Sequence, residues 1–310
     1  MGINLSHRRG DKILKRILSH YQLYLLIVPS VALIFIFNYI PMYGAQIAFK
    51  NFKSSLGIWG SQWVGFYHFN RFLTQYNFWR LITNTLGISL YSLIVGFPAP
   101  IILAILLNEA RGKMYKKTVQ MVTYAPYFIS TVVMCGMITL FLNREFGIIN
   151  LIIEFFGREK QPFMSQPGAF KTIYVFSGVW QGVGWGSIIY IAALSGVDPQ
   201  IIEAARVDGA GRLRKIWHID LPSIQPTIII LLIFNLGSLF SVGFEKVLLL
   251  QNELNRSSSD VISTYIYRTG LIDGQFSYTS AIGLFNTVVN FMLLIAVNFI
   301  AKRTTETSLW

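Results

Sequence analysis

The sequence has few of the residues on which disulfide-stabilised proteins and most enzymes depend. Its 310 residues include a single cysteine, Cys135, and only 14 acidic residues against 26 Lys and Arg. One cysteine cannot form an internal disulfide, and inside an apolar segment it is expected to be a small buried side chain. The four histidines, His7, His20, His68 and His218, are not spaced as metal ligands. No Gly-x-x-x-x-Gly-Lys-Ser/Thr run occurs, so the chain is not expected to bind a nucleotide through such a loop.

Charged residues are scarce as well. They make up 13% of the chain, whereas 53% of the residues are hydrophobic and the mean hydropathy is +0.51. Soluble domains rarely combine these values. The composition predicts a polytopic membrane protein, whose net charge of +12 serves membrane topology rather than nucleic-acid binding.

Six apolar runs approach the ~20 residues that cross a hydrocarbon core, and we predict a transmembrane helix in each. The predicted helices cover about residues 23–40, 84–107, 119–142, 172–194, 224–250 and 279–301. Pro29 lies inside the first, where it is a candidate kink, and Pro98 and Pro100 predict a bend or break in the second. The first run follows a basic segment but has no small-residue cleavage pattern, so it is interpreted as a retained helix and not as a signal peptide.

The prediction is therefore an all-α membrane protein in two parts. Residues 1–20 form a cytoplasmic N-terminal segment, and residues 21–310 form the membrane domain. Six spans place both termini on one side of the bilayer. The N-terminus, the loops at 108–118 and 195–222, and the C-terminal tail together carry 15 Lys and Arg, whereas the other three loops carry 10 over a greater length. The positive-inside rule then predicts that both termini and the 195–222 loop are cytoplasmic.

The most distinctive stretch is a charged island at residues 198–222, between the fourth and fifth predicted helices. Asp198 can cap a short helix over 200–207. The glycine-containing segment 208–211 then ends that helix, because glycine tolerates the left-handed conformation. A second short helix is predicted over 212–219, so that the island forms a helix-turn-helix outside the bilayer.

This island resembles the "EAA" loop of the membrane subunits of binding-protein-dependent ABC importers. The residues that match the loop are Glu203, Ala204, Ala205, Asp208, Gly209, Ile219, Leu221 and Pro222. The resemblance implies that the loop is cytoplasmic and that its first helix docks into a groove on a separate ATPase subunit. The small side chains of Ala204 and Ala205 would let another protein approach closely, and Glu203 would offer a carboxylate to a basic group of that partner.

The start of the membrane domain is similar to sugar-importer permeases of the polysaccharide type, which occur mainly in Gram-positive bacteria. The similarity is carried by residues 20–24, Pro29, 38–44 and 48–52, and it extends over essentially the whole chain. It implies a type I ABC importer permease fold with six transmembrane helices, in the plasma membrane of a bacterium, and the usual occurrence of these permeases implies a Gram-positive one.

The same resemblance implies a function and a set of partners. The expected function is the import of complex or polysaccharide-derived oligosaccharides, with no bond chemistry in this chain. The expected partners are a second, related permease, two ATPase subunits, an extracellular solute-binding lipoprotein, the oligosaccharide and membrane lipids, but no nucleic acid. No cofactor is expected in this chain, because ATP and Mg would bind to the partner ATPase.

A substrate site is predicted from polar and aromatic groups inside the fourth and fifth helices, where such groups are costly. Gly178, Gln181, Gly182 and Trp185 share one face of the fourth helix. Two glycines beside an aromatic ring and an amide leave a slot with a flat wall, which suits a sugar. In the fifth helix, one stripe is predicted to contain Asn235, Ser238, Leu239 and Val242.

These eight positions resemble the sugar-contacting positions of the maltose importer's membrane subunit. Leu239 and Val242 stand where that subunit has amides, so the contact set is not carried over whole. The alternative is that Trp185 and Gln181 only pack between helices and that Gly178 and Gly182 allow close helix approach. Three more amides inside the apolar runs are expected to form hydrogen bonds between helices, namely Asn84, Asn286 and Asn290.

Two other functions stay open at this point. The chain could be an ABC importer permease for another solute, such as amino acids or peptides, although the aromatic and amide lining favours a sugar. It could also be a membrane enzyme that uses Glu245 or the asparagines, but the sequence shows no paired acid, nucleophile or metal cluster for that chemistry.

Overall fold

The computed structural model describes residues 19–304 and 308–309, and within these ranges the chain is mostly helical. Of the predicted N-terminal segment, residues 1–18 lie outside the described part, as do 305–307 and 310 of the tail. In chain order the α-helices are α1 (Tyr21–Ile34), α2 (Ile40–Met42), α3 (Gly57–Gly60), α4 (Tyr67–Leu73), α5 (Phe78–Gly96), α6 (Pro98–Glu109), α7 (Lys113–Tyr124), α8 (Thr131–Phe141), α9 (Ile148–Phe155), α10 (Pro167–Ser195), α11 (Pro199–Val207), α12 (Arg212–Lys215), α13 (Leu221–Gly237), α14 (Phe244–Leu250), α15 (Arg256–Ser259), α16 (Ile262–Tyr267) and α17 (Phe276–Thr304).

Shorter elements join these helices. Three π-helical turns cover Phe35–Tyr39, Ile216–Asp220 and Arg268–Ile272. Three 3₁₀ turns cover Tyr43–Phe49, Ala125–Phe128 and Phe163–Ser165. Two short strands, β1 (Lys50–Asn51) and β2 (Gln62–Trp63), pair antiparallel with Lys50 opposite Trp63.

Four helical stretches are long and apolar enough to cross a bilayer. They are Tyr21–Phe49, Phe78–Glu109, Arg212–Gly237 and Phe276–Thr304. Two bent pairs raise the number to six if each pair is counted as one span: Lys113–Phe128 with Thr131–Phe141, and Pro167–Ser195 with Pro199–Val207. The six-span prediction is met on that count.

The long helix α10 lies at the centre of the fold and packs against α5, α6, α7 and α13. Two glycines make this close packing possible. A Cβ at Gly184 would lie 2.1 Å from the carbonyl oxygen of Thr123 in α7, and a Cβ at Gly186 would lie 3.0 Å from Cγ of Pro100 in α6. Tyr190 and Leu194 continue this contact as part of a buried apolar cluster with α6 and α13.

The first two predicted spans are present with shifted ends. α1 passes through Pro29 without interruption, and neither α1 nor α2 has a buried residue. The predicted bend or break in the second span is reduced to a local interruption: α5 ends at Gly96 and α6 begins at Pro98, which has no backbone N–H to donate, but Phe97 between them is in the helical conformation and Phe78–Glu109 forms one helical stretch.

The prediction of a continuous third helix over 119–142 is wrong. The chain turns by 101° between the stretch Lys113–Phe128 and α8. Pro126 lies at the start of the 3₁₀ turn, and Ile129 and Ser130 have extended backbone. The Ser130 hydroxyl then accepts a hydrogen bond from the N–H of Val133, 3.3 Å away, and caps α8 as a new helix.

The prediction of a fifth helix over 224–250 is also wrong at both ends. Its helix starts at Arg212, passes through a π-helical turn, and ends at Gly237. Asn290 of α17 holds the break that follows: its Oδ1 accepts the N–H of Phe240 (3.0 Å), and its Nδ2 donates to the Ser241 hydroxyl (3.1 Å). A new helix, α14, begins only at Phe244.

Candidate functional site

The first half of the 198–222 island folds as predicted. The Asp198 carboxylate accepts a hydrogen bond from the N–H of Gln200 (2.9 Å), and α11 follows over Pro199–Val207. Gly209 ends the helix with a φ of +71°. The N–H of Gly209 bonds to the carbonyl of Arg206 (3.1 Å), and that of Ala210 bonds to the carbonyl of Ala205 (2.8 Å). This is the Schellman arrangement that a glycine at this position favours.

The outer surface of α11 is suited to contact with another protein. Ile201 is 52% exposed and Val207 is 88% exposed, and Glu203 and Ala204 lie on the surface between them. Within the described part of the chain, Glu203 forms no ion pair. The helix therefore presents small and apolar groups together with a carboxylate that has no cationic partner among the described residues.

The second half of the island differs from the prediction. The expected short helix over 212–219 is continuous with α13 through a π-helical turn, and Pro222 is the second residue of α13. Ile219 and Leu221 are half-buried. The π-helical turn directly before Pro222 interrupts the regular i→i−4 hydrogen bonding, with the N–H of Leu221 bonded to the carbonyl of Ile216, and this irregular turn accommodates the missing N–H of the proline.

A buried group of charges ties this half of the island to α6. Asp220 is only 1% exposed, and the Lys215 ammonium lies 3.5 Å from its carboxylate. Lys215 also pairs with Glu109, the last residue of α6. The sequence analysis did not identify this group, since a separation of 106 residues between Glu109 and Lys215 gives no local signal.

Two adjoining cavities lie around α10. The larger, of about 590 Å³, lies between α5, α6, α10 and the end of α13. It is lined by five of the eight predicted site residues: Trp185, Asn235, Ser238, Leu239 and Val242. The smaller, of about 360 Å³, is lined by the other three, Gly178, Gln181 and Gly182. Both cavities share the wall residues Ser92, Gly96, Pro100 and Tyr174.

Trp185 is part of an aromatic wall. Its ring stacks on that of Tyr127 with centroids 4.5 Å apart and planes 4° from parallel, and Phe128 meets it edge-on at 6.2 Å. The Trp185 side chain is still 46% exposed, so its ring can accept another flat apolar surface. The sequence analysis missed Tyr127 and Phe128, although a pair of aromatics directly after Pro126 was a signal that an irregular turn presents them.

The polar side chains of the proposed site differ in the hydrogen bonds that they already form within the protein. Gln181 donates from Nε2 to the carbonyl of Ile129 (2.9 Å), so one of its two N–H donors is already used in a bond within the protein. Asn235 donates to Leu231 of its own helix (2.8 Å), and the Ser238 hydroxyl bonds to Phe234 and Asn235, each at 3.1 Å. Asn235 and Ser238 are exposed on the cavity side of the fold.

The predicted helical stripe of Asn235, Ser238, Leu239 and Val242 does not exist, because α13 ends at Gly237. The break brings these residues to the same cavity by a different route. Asn235 reaches it from the last turn of α13, Ser238 and Leu239 from the turn, and Val242 from the segment before α14.

The space around the glycines of α10 distinguishes a role in a substrate site from the alternative role, which is to allow close helix packing. A Cβ at Gly182 would meet no atom within 4 Å, and one at Gly178 would meet only Nζ of Lys246 at 3.2 Å. Close helix approach therefore does not account for Gly178 or Gly182, whereas Gly184 and Gly186 do serve it. Of the three amides expected to bond between helices, Asn84 donates to the carbonyls of Ser257 and Asp260, and Asn290 holds the α13 break. The expectation is wrong for Asn286, whose buried Oδ1 has no hydrogen-bond partner among the described residues.

Apolar helices around polar cavities, with a helix break at the cavity wall, together with an exposed polar helix, are typical of a transport permease. The chain belongs to the family described as "Binding-protein-dependent transport system inner membrane component", whose profile matches residues 96–306. It is thus the membrane permease subunit of an ABC importer that works with a solute-binding protein, and a separate subunit hydrolyses ATP.

Curated relatives cover nearly the whole chain. Protein LplB of Bacillus subtilis (strain 168) is 44% identical over 91% of this chain and 88% of its own length. The polygalacturonan/rhamnogalacturonan transport system permease protein YteP of the same organism is 42% identical over 97% of this chain and 94% of its own length. These matches confirm the predicted resemblance to sugar-importer permeases and leave no support for the membrane-enzyme alternative.

A solved structure shows the same fold. A chain of a bacterial alginate ABC transporter, determined in complex with an alginate pentasaccharide-bound periplasmic protein, is 39% identical to this chain. The TM-score is 0.87, with 95% of this chain and 99% of that chain covered. The type I ABC importer permease fold is therefore confirmed.

Proposed function

We propose that this chain imports oligosaccharides as one half of a heterodimeric pore. The observation that carries the proposal is the half-exposed Trp185 ring, stacked on Tyr127 at the wall of a cavity that also contains Asn235 and Ser238. Sugars present flat C–H faces that pack on such rings and hydroxyls that bond to amide and hydroxyl groups. The names of YteP and of the alginate transporter, which refer to polysaccharides, support the same class of substrate.

The proposed assembly contains a second, related permease, two ATPase subunits and an extracellular solute-binding protein. α11 is the element that docks on the ATPase, with Glu203 facing a basic group and Ala204 and Ala205 allowing close contact. Gly209 and Asp208 close α11. The segment after Gly209 connects α11 to the membrane helix α13, and it contains Ile219, Leu221 and Pro222.

The proposed mechanism is alternating access driven by the ATPase pair. Only residues 196–198 separate α11 from α10, and the two helices meet at 75°. A displacement of α11 is therefore transmitted to α10 and to the cavity walls at Gly178, Gln181, Gly182 and Trp185. The Glu109–Lys215–Asp220 contact moves α6 and α13 with the loop, so both sides of the larger cavity respond together.

The proposed orientation follows the distribution of Lys and Arg. Both termini and the 198–222 loop face the cytoplasm of a bacterial cell, as in Gram-positive relatives such as those of Bacillus subtilis. The domain division proposed from the sequence, residues 1–20 and 21–310 with the coupling loop at 195–222, fits this arrangement.

The proposal is tested by isolating the complex. The tagged chain, expressed in its native host, is purified in mild detergent, and the co-purifying proteins are identified by mass spectrometry. The expected set is a second permease, an ATPase and a solute-binding protein that retains a glycan in an array screen. A solute-binding partner that binds amino acids or peptides, and no glycan, would contradict the proposed substrate.

A further inference from the structure

Lys246 is placed unlike every other cation of this chain. Of the 26 Lys and Arg residues, it is the only one that falls inside the six apolar runs predicted from the sequence. The structure places it in the first turn of α14, just after the break that ends α13. Its side chain is 9% exposed and lines the smaller cavity together with Gly178 and Gln181.

The Lys246 ammonium has one polar partner within the described part of the chain. Nζ donates to the carbonyl oxygen of Tyr174 at 2.6 Å and lies 4.5 Å from the centre of the Tyr174 ring. No carboxylate of the described residues lies within ion-pair distance, and the adjacent Glu245 is exposed. Because an ammonium has three N–H donors, two are left for a group that enters the cavity.

Burial of a cation without a counter-ion is unfavourable, by several kcal/mol in proteins. Packing alone would be served as well by a methionine, which fills similar space without a charge. The room in front of Nζ is kept by Gly178, where a Cβ would lie only 3.2 Å from it. An anion carried into the cavity by the substrate would offset the cost of the buried charge and use the free donors.

The surroundings favour a carboxylate over a phosphate. The described cavity wall contains one cation, with Gln181 and Ser92 as neutral polar neighbours, and it contains no arginine. A single ammonium balances a carboxylate, whereas a phosphate monoester carries nearly two charges and is commonly bound by arginine forks. Gly178 and Trp185 are seven residues apart on α10, roughly 10 Å. The cation and the aromatic wall would therefore contact different units of one sugar chain.

We propose that Lys246 binds a carboxylate of the transported sugar and that the substrate is an acidic oligosaccharide containing hexuronate units. This inference rests on the proposed function, since it assumes that the cavities hold an oligosaccharide. It assigns Lys246 the role of a specificity residue for charge.

The test compares acidic sugars with their neutral methyl esters. The complete complex with its solute-binding protein is reconstituted in vesicles with internal ATP. Uptake of trigalacturonate, trimannuronate and the methyl ester of each is measured for wild type, Lys246→Gln and Lys246→Arg. Lys171→Gln is the matched control, because Lys171 is a second partly buried lysine near Tyr174 but lines neither cavity. The solute-binding protein is the same throughout, so its own preference for acid or ester cancels when the uptake by each variant is divided by the uptake by wild type.

Lys246→Gln is expected to lower uptake of the acid about tenfold or more relative to the ester, which corresponds to the loss of a hydrogen bond to a charged group. Lys246→Arg should keep most of the preference for the acid, and Lys171→Gln should change both probes alike. Gly178→Ala provides a second variant in case Lys246→Gln assembles poorly; it crowds Nζ and should also impair the acid more than the ester.

Two results would overturn the inference while leaving sugar import intact. One is an equal change in acid and ester uptake for Lys246→Gln and Gly178→Ala, which is what a purely structural lysine gives. The other is a wild-type complex that imports neutral sugars and rejects both acids. If the wild-type complex imports no sugar of any kind, the proposed function itself fails.

Discussion

At the scale of single residues, the aromatic wall is the feature on which sugar recognition depends. Trp185→Ala removes the ring that stacks on Tyr127 and is half exposed to the cavity. Aromatic contacts of this kind contribute about 0.5–1.5 kcal/mol, so uptake per assembled complex should fall roughly 2- to 12-fold. Trp185→Phe, which keeps a ring, should retain most of the activity.

Asn235→Ala is expected to act in the same direction, because it removes an exposed amide from the same cavity. Uptake is normalised to the amount of complex that co-purifies with the ATPase, which separates transport from assembly. Lower assembly with normal uptake per complex in both Trp185→Ala and Asn235→Ala would assign these residues to packing and exclude this site.

Two glycines of α10, two residues apart, form a matched pair for stability. A Cβ at Gly184 would lie 2.1 Å from the backbone oxygen of Thr123, whereas a Cβ at Gly182 would meet nothing within 4 Å. Gly184→Ala should destabilise the fold by about 1–3 kcal/mol through overpacking. Gly182→Ala should leave the melting temperature of the purified permease unchanged. Equal melting temperatures for the two variants would contradict the described packing of α10 on α7.

The sequence analysis located the cavity residues but not the way they reach the cavity. Trp185 and Gln181 could be predicted because α10 is one regular helix, on which spacing alone determines the face. Periodicity could not relate Tyr127 or Lys246 to α10, since Tyr127 lies in the 3₁₀ turn at Pro126 and Lys246 follows the break after α13; only the aromatic pair next to Pro126 was a local signal for Tyr127. Irregular backbone of this kind is decided by tertiary contacts such as that of Asn290 with Phe240.

At the scale of elements, α11 is the proposed coupling helix, and its carboxylate is the most direct target. Glu203→Lys places a cation against the basic group expected on the ATPase, a juxtaposition that costs on the order of 2–5 kcal/mol at an interface. The ATPase should no longer co-purify and uptake should be lost, while the two permeases remain together. Glu159→Lys reverses another exposed carboxylate, outside the island, and should have no effect. Normal ATP-driven uptake by Glu203→Lys would exclude the coupling role.

The turn that ends α11 is tested by two glycines of the same loop. Gly209 has a φ of +71°, while Gly211, with a φ of −70°, is in a conformation open to any residue. A side chain in the left-handed region costs about 1–2 kcal/mol, and a β-branched one is especially unfavourable. Gly209→Val should therefore impair coupled ATPase activity, and Gly211→Val should impair it far less. Similar activities in the two variants would show that the left-handed turn is not required.

The elements themselves were predictable to different degrees. The cap at Asp198 and the end of α11 at Gly209 followed from local chemistry, and both are present. The breaks within the third and fifth predicted spans did not follow, because hydropathy is continuous across them. The continuity of the helix across Pro222 did not follow either, because the π-helical turn Ile216–Asp220 that precedes this proline leaves no signal in the sequence.

At the scale of the whole molecule, the proposed orientation predicts which surfaces an impermeant thiol reagent can reach. In a Cys135→Ala background, cysteines at Lys117 and Arg212 should react only after the membrane is opened. Cysteines at Ser54 and Glu159 should react in intact cells. All four positions are exposed, so that a cysteine there can be reached by the reagent. Ser61 lies in the same loop as Ser54 but is only 5% exposed, which makes it unsuited to labelling. Labelling of Arg212 in intact cells would reject this topology.

The central claim is that this chain imports oligosaccharides and that α11 couples the import to ATP. The most direct measurement is uptake by the purified complex in vesicles, with ATP inside, the solute-binding protein outside, and radiolabelled oligosaccharides, amino acids and peptides offered in turn. The account predicts that oligosaccharide accumulates, that accumulation requires ATP, and that Glu203→Lys abolishes it. Accumulation of amino acids or peptides in place of sugar, or sugar uptake that persists without ATP, would contradict it.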